Sequence, residues 1–160
     1  MVKRGLRKLS YSKIVVKSYA DMLALNPSRD NYFISVVEGC TNELVSERNS
    51  THFPLCFPDC GGRDNFQHCF FSDELAREIV DFVLDLYARP EEKVLYVNCM
   101  AGKSRSGAIA TFAAYILETN LNRAGAQHWQ LVMESFKNEN PQIVPNMHIL
   151  YKLLREYFNR

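Results

Sequence analysis

Cys99 and Arg105 bracket five residues in the run Val94-Leu95-Tyr96-Val97-Asn98-Cys99-Met100-Ala101-Gly102-Lys103-Ser104-Arg105-Ser106-Gly107-Ala108. A thiol nucleophile, a planar guanidinium fork and the Ser106 hydroxyl are the parts a phosphate-transfer site needs. Wrapped around a phosphate, the backbone N–H groups from Met100 to Arg105 would turn inward as an anion nest. A helix starting at about Arg105 adds the positive end of its dipole. The same field favours thiolate over thiol at Cys99, lowering its pKa below that of a free cysteine. Arg105 can hold two phosphate oxygens at once, and Ser106 can donate to the sulfur and ease its departure. This chemistry asks for no metal and no cofactor.

The letters Gly102-Lys103-Ser104 also suggest a nucleotide-binding loop, but that motif requires a glycine five positions before Gly102. Val97 stands there, so the nucleotide reading fails. A second cluster, Cys56, Cys60, His68 and Cys69 with His52 nearby, invites a zinc reading. Its spacing matches no standard zinc pattern, and loop and core cysteines explain it better. His128 and His148 show no ligand spacing either.

The elements that must position Cys99 follow from residue patterning. Segments 13–16 and 32–37 are β-branched and aromatic and read as strands, and 52–55 reads as a further short strand. A short helix over 19–25 stops at Asn26-Pro27. Ser72-Asp73-Glu74-Leu75 resembles a capping box, opening a helix with Leu75, Ile79, Phe82, Val83, Leu86 and Tyr87 on one stripe, which Arg89-Pro90 ends. A strand over 93–98 leads into the Cys99 loop. The helix from about Ser106 to Glu118 is apolar nearly all round and therefore buried. Amphipathic helices over about 123–137 and 146–158 follow, and Trp129 is read as core. The pattern predicts one α/β domain over 1–160, with 1–12 as a basic end. A central, mostly parallel sheet is flanked by helices, and the Cys99 loop lies at the carboxyl end of a central strand, where such folds place ligands.

With 19 basic and 18 acidic side chains the net charge is +1, so bulk electrostatics select no partner, and nucleic acid is not expected. No stretch approaches a membrane span, and no apolar signal-peptide core follows the basic start. The odd cysteine count, five, argues against a disulfide framework and for the cytoplasm or another reducing compartment.

The Cys-x5-Arg-Ser run, with Ala101, Gly102 and Ser104 inside it, resembles the signature loop of the cysteine-based protein tyrosine phosphatases, in particular the small dual-specificity group. The helix carrying Phe-Ser-Asp-Glu-Leu-Ala-Arg-Glu-Ile-Val-Asp-Phe-Val and the Pro145-Asn146 start of the last helix are similar to that family too. The resemblance covers about residue 13 to the end. It implies Cys99 as nucleophile, Arg105 as phosphate clamp, Ser106 as thiolate partner, and Met100, Ala101, Gly102, Lys103 and Ser104 as the phosphate-binding loop. It also implies an upstream carboxylic acid that protonates the leaving oxygen. Asp59, after Phe57-Pro58, matches the F-x-D of small microbial members, and Asp64 is the second candidate. One position departs: the family's usual histidine before the cysteine is Asn98.

The resemblance implies a phosphorylated protein substrate carrying phosphotyrosine, with phosphoserine and phosphothreonine open. Three alternatives stand beside it. Asn98 motivates a pseudophosphatase that binds phosphoproteins without turnover. Lys103 is shared with phosphoinositide phosphatases, although those usually carry a basic residue where Met100 stands. Related folds also include RNA 5′-triphosphatases.

Overall fold

The apolar run at 32–37 is buried at every residue, which requires cover on both faces of its sheet. The computed structural model describes residues 13–38, 42–58, 71–89, 93–118 and 128–160. In chain order they form β1 (Ile14–Ser18), α1 (Tyr19–Leu25), β2 (Tyr32–Val37), β3 (His52–Cys56), α2 (Asp73–Ala88), β4 (Leu95–Cys99), α3 (Arg105–Glu118), α4 (His128–Glu139) and α5 (Met147–Phe158). The expected basic end over 1–12 lies outside the described residues.

The four strands make one sheet in the order β1-β4-β2-β3, and all three pairings are parallel. β4 is therefore central, and its carboxyl end lies between those of β1 and β2. Ser18 pairs with Cys99, and Asn98 sits between Lys17 and Ser35. The sheet's alternation splits β2. Tyr32, Ile34 and Val36 join the main core with α2, α3, α4 and α5, while Phe33 packs with Met22, Leu44 and Val45 on the opposite face. Phe33 also stacks on Tyr96 of β4 at 5.4 Å between ring centroids.

Local chemistry sets the helix ends. Ser18 caps α1, accepting from the Asp21 N–H at 3.1 Å, and Asn26 closes that helix at φ 45, a left-handed conformation that asparagine tolerates. Ser72 accepts from the Leu75 N–H at 3.1 Å. The expected capping box thus forms only in its first half, because the third helical position carries Leu75, which has no acceptor to return the bond. Asn146 caps α5 through Ile149. α3 is buried from Arg105 through Leu117, as an all-round apolar helix must be.

Helix α4 begins at His128, and the expected helical residues 123–127 lie outside the described segments. Trp129 packs against the main core as expected, from its border: it is partly buried and meets Tyr151 edge-to-face at 5.7 Å. Among the described residues no helix is long and apolar enough to cross a membrane.

Candidate active site

The loop after β4 is shaped by where its carbonyls go. The Met100 carbonyl accepts from the Tyr19 N–H at 3.4 Å, the Lys103 carbonyl from Val144 at 3.0 Å, and the Ser104 carbonyl from both Ala108 and Asn146 at 3.0 Å. Three carbonyls are thus drawn outward by α1, the 143–146 segment and the start of α3. Turning the carbonyls out turns neighbouring N–H groups in, which is how a nest forms.

Gly102 permits the turn. It sits at φ 69, and a Cβ there would lie 2.5 Å from the Lys17 carbonyl carbon and 2.8 Å from the Lys17 oxygen. Only glycine accepts both that conformation and that approach. Gly107, at the start of α3, is tightly packed but less severely so: a Cβ would meet the Ile143 side chain at 3.2 Å.

Cys99 is 2% exposed at the floor of this loop. Its sulfur lies 3.1 Å from the Ser106 hydroxyl. Burial pushes the thiol up, but hydrogen bonds from the Ser106 hydroxyl and from the amides of Ser106, Lys103 and Gly102 outweigh it and hold Cys99 below the ordinary cysteine range. That balance is the one a thiolate nucleophile needs.

Arg105 is 4% exposed. Its Nη1 donates to the Phe57 carbonyl at 2.6 Å and its Nη2 pairs with Glu38 Oε1 at 3.2 Å, while Nε finds no partner among the described residues. A buried guanidinium without a counter-charge would cost several kcal/mol, and Glu38 supplies the counter-charge. Donors on Arg105 remain for an anion after both contacts are made.

The structure brings Cys99, Arg105 and Ser106 together with Gly102 and Lys103. Met100, Ala101 and Lys103 have exposed side-chain positions, while Ser104 is half-buried. Asn98 is 1% exposed beneath the loop, and its Nδ2 has no partner among the described residues. Asp59 and Asp64 lie outside the described residues, as do Cys60, His68 and Cys69 of the zinc reading. The described residues on either side of that segment are well held: Phe57 and Phe71 are buried with centroids 5.1 Å apart, and the Phe71 carbonyl accepts from Lys152 Nζ at 2.7 Å. Of the zinc reading's remaining members, His52 packs edge-on against Phe33, and Cys56 ends β3.

Glu38 was not foreseen from the sequence. A signal existed: it is the first residue past β2, and a strand parallel to β4 and beside it delivers its last residues to the rim of the Cys99 loop.

No protein-family model matches the chain, and no curated protein matches it in sequence. Solved structures do share its fold, phosphatases among them. The crystal structure of DUSP15 superposes with a TM-score of 0.51 at 18% identity, covering 88% of this chain and 80% of that one. PTPMT1 in complex with PI(5)P gives 0.53 at 13% identity, covering 95% and 94%. OH1 from the Orf virus, a tyrosine phosphatase with triple substrate specificity, gives 0.51 at 15%, covering 89% and 80%. At these identities the likeness is one of fold, and the expected single α/β arrangement with its loop at the end of a central strand agrees with it.

Proposed function

We propose that this chain is one phosphatase domain that hydrolyses phosphomonoesters through a phosphocysteine on Cys99, without metal or cofactor. The observation that carries the proposal is the convergence on the Cys99 sulfur of the Gly102, Lys103 and Ser106 amides and the Ser106 hydroxyl, which hold the thiol down despite burial.

In the first step the Cys99 thiolate forms a bond to phosphorus as the bond to the leaving oxygen breaks, and Asp59 gives that oxygen its proton. In the second, the Asp59 carboxylate takes a proton from water, the water oxygen bonds to phosphorus, and the phosphorus–sulfur bond breaks. Ser106 donates to the departing sulfur. Arg105 and the loop amides hold the equatorial oxygens through both steps. Asp64 is the alternative acid.

We assign phosphorylated protein as the substrate, with phosphotyrosine first and phosphoserine and phosphothreonine open, acting in a reducing compartment where the thiol survives. The binding-module alternative fits an ordinary thiol at Cys99, and the lowered thiol supports the enzyme instead. The phosphoinositide alternative draws on exposed Lys103 and on the fold shared with PTPMT1, whose structure holds PI(5)P. The test is hydrolysis of an aryl phosphate, a phosphotyrosine peptide, a phosphoinositide and a 5′-triphosphate RNA by wild type and Cys99→Ser, all with EDTA present. Turnover of the first two that disappears in Cys99→Ser supports the reading. Activity retained by Cys99→Ser, or confined to the RNA, overturns it.

A further inference from the structure

We infer that Lys152 of α5 is a positioning residue for the proton-donating step, acting through a clasp that Phe57 and Phe71 form on either side of the segment carrying Asp59 and Asp64. The inference rests on the phosphatase reading above and adds to it a residue outside the Cys99 loop.

Three contacts make the clasp. The Phe57 and Phe71 rings are buried together, with centroids 5.1 Å apart. On the outgoing side the Phe57 carbonyl accepts from Arg105 Nη1 at 2.6 Å, which ties the chain to the phosphate clamp two residues before Asp59. On the returning side the Phe71 carbonyl accepts from Lys152 Nζ at 2.7 Å. The helix that follows does not reach that carbonyl. The Leu75 N–H, its ordinary helical donor, goes to the Ser72 hydroxyl at 3.1 Å, and the Ala76 N–H goes to the Ser72 carbonyl at 3.1 Å. Lys152 takes up the carbonyl that the cap of α2 leaves aside. It thereby holds Phe71 and, through the paired rings, Phe57.

Support of α2 alone does not explain a lysine here. Its ammonium lies at the amino end of that helix, where the dipole disfavours a cation. Asp73 in the first turn already pairs with Arg155 at 3.2 Å, beside its contact with Lys152 at 3.3 Å. The Lys152 side chain is 22% exposed and that of Arg155 61%, so the lysine is drawn into the cleft between α2 and α5 while the arginine serves from the surface. What Lys152 adds is the bond to Phe71, and a hydrogen bond from a charged donor is about twice as strong as a neutral one. Its value lies in precision, because a misplacement of about 1 Å introduced far from the chemistry can cost about a hundredfold in rate.

The test reads the leaving group. Dinitrophenyl phosphate releases a phenolate that departs without a proton, whereas phenyl phosphate needs one from the general acid. Lys152→Met keeps the apolar stem and removes the donor. Its kcat/KM is expected to fall about tenfold on phenyl phosphate and to stay within about threefold of wild type on dinitrophenyl phosphate. Both rates are read on one preparation, so their ratio does not depend on the folded fraction. Lys152→Arg keeps a cationic donor and should restore most of the loss. In the Asp59→Asn background Lys152→Met should change the ratio by less than about twofold, since the proton it positions is already gone. Should the methionine variant fail to fold by thermal melting, Lys152→Gln, whose amide ends one bond short of the ammonium, carries the same expectation. An unchanged ratio in the methionine or glutamine variant overturns the inference. So does an equal fall on both esters, or a full effect of Lys152→Met in the Asp59→Asn and Asp64→Asn backgrounds alike. If neither Asp59→Asn nor Asp64→Asn changes the wild-type ratio, the acid does not belong to this segment and the role of Lys152 falls with it. Wild-type protein that leaves both esters intact overturns the phosphatase reading itself.

Discussion

Replacing Gly102 by alanine adds one carbon where the loop rests against β1. The added Cβ would lie 2.5 Å from the Lys17 carbonyl carbon and 2.8 Å from its oxygen, against backbone that cannot rotate away. Two costs combine. A non-glycine residue at φ 69 costs about 1 kcal/mol. Separating the loop from the β1–α1 junction adds roughly 1–3 kcal/mol, the usual range for overpacking. The sum, about 2–4 kcal/mol, corresponds to a fall in Tm of roughly 4–16 °C for a domain of this size.

The effect on activity should be larger than on folding. The Gly102 amide is one of the donors that hold the Cys99 thiol down, and displacing it lets burial push the thiol up. We expect kcat/KM to fall by about a hundredfold, as for other small misplacements in a catalytic loop. The assay pairs thermal unfolding with aryl phosphate hydrolysis, and Lys103→Ala serves as the neighbouring control for folding. A Gly102→Ala protein that melts within about 2 °C of wild type and keeps its activity would refute the close approach on which the loop's shape depends.

Other expectations follow from the same geometry. Ser106→Ala removes the largest of the hydrogen bonds holding the thiol down, so the Cys99 pKa should rise and iodoacetamide alkylation slow most at acid pH, where thiolate limits the rate; an unchanged pH profile would assign the whole effect to the amides. Asp59→Asn should slow substrates with poor leaving groups by about a hundredfold or more, with Asp64→Asn doing much less, and a reversed ranking in steady-state kinetics would move the acid to Asp64. Asn98→His should lower the thiol further and speed alkylation near pH 6, whereas an unchanged profile would mean that the buried amide beneath the loop already supplies what histidine does elsewhere.

The candidate site was legible where its residues are local in the chain. Cys99, Gly102, Arg105 and Ser106 lie within eight residues, and the strand before them and the buried helix after them are strongly patterned, so β4 and α3 differ from expectation only at their ends. Contacts that cross the sheet were not legible. Glu38 meets Arg105 because β2 and β4 are neighbours, and no periodicity in 32–37 states which strand lies beside which. The Phe57 carbonyl is a backbone group that carries no sequence signal at all. The apolar stripe of α4 was legible as packing, and Trp129 does pack against the main core, but its edge-to-face contact with Tyr151 of α5 is another long-range pairing that the pattern does not state.

The central claim is that phosphate passes through the Cys99 sulfur. Wild-type protein turning over an aryl phosphate should be quenched rapidly in denaturant, digested and analysed by mass spectrometry. Phosphate is expected on the sulfur of the peptide containing Cys99, and it should be absent from the Cys99→Ser protein treated in the same way. Steady turnover with no phosphate on that peptide, undiminished in Cys99→Ser, would contradict the account.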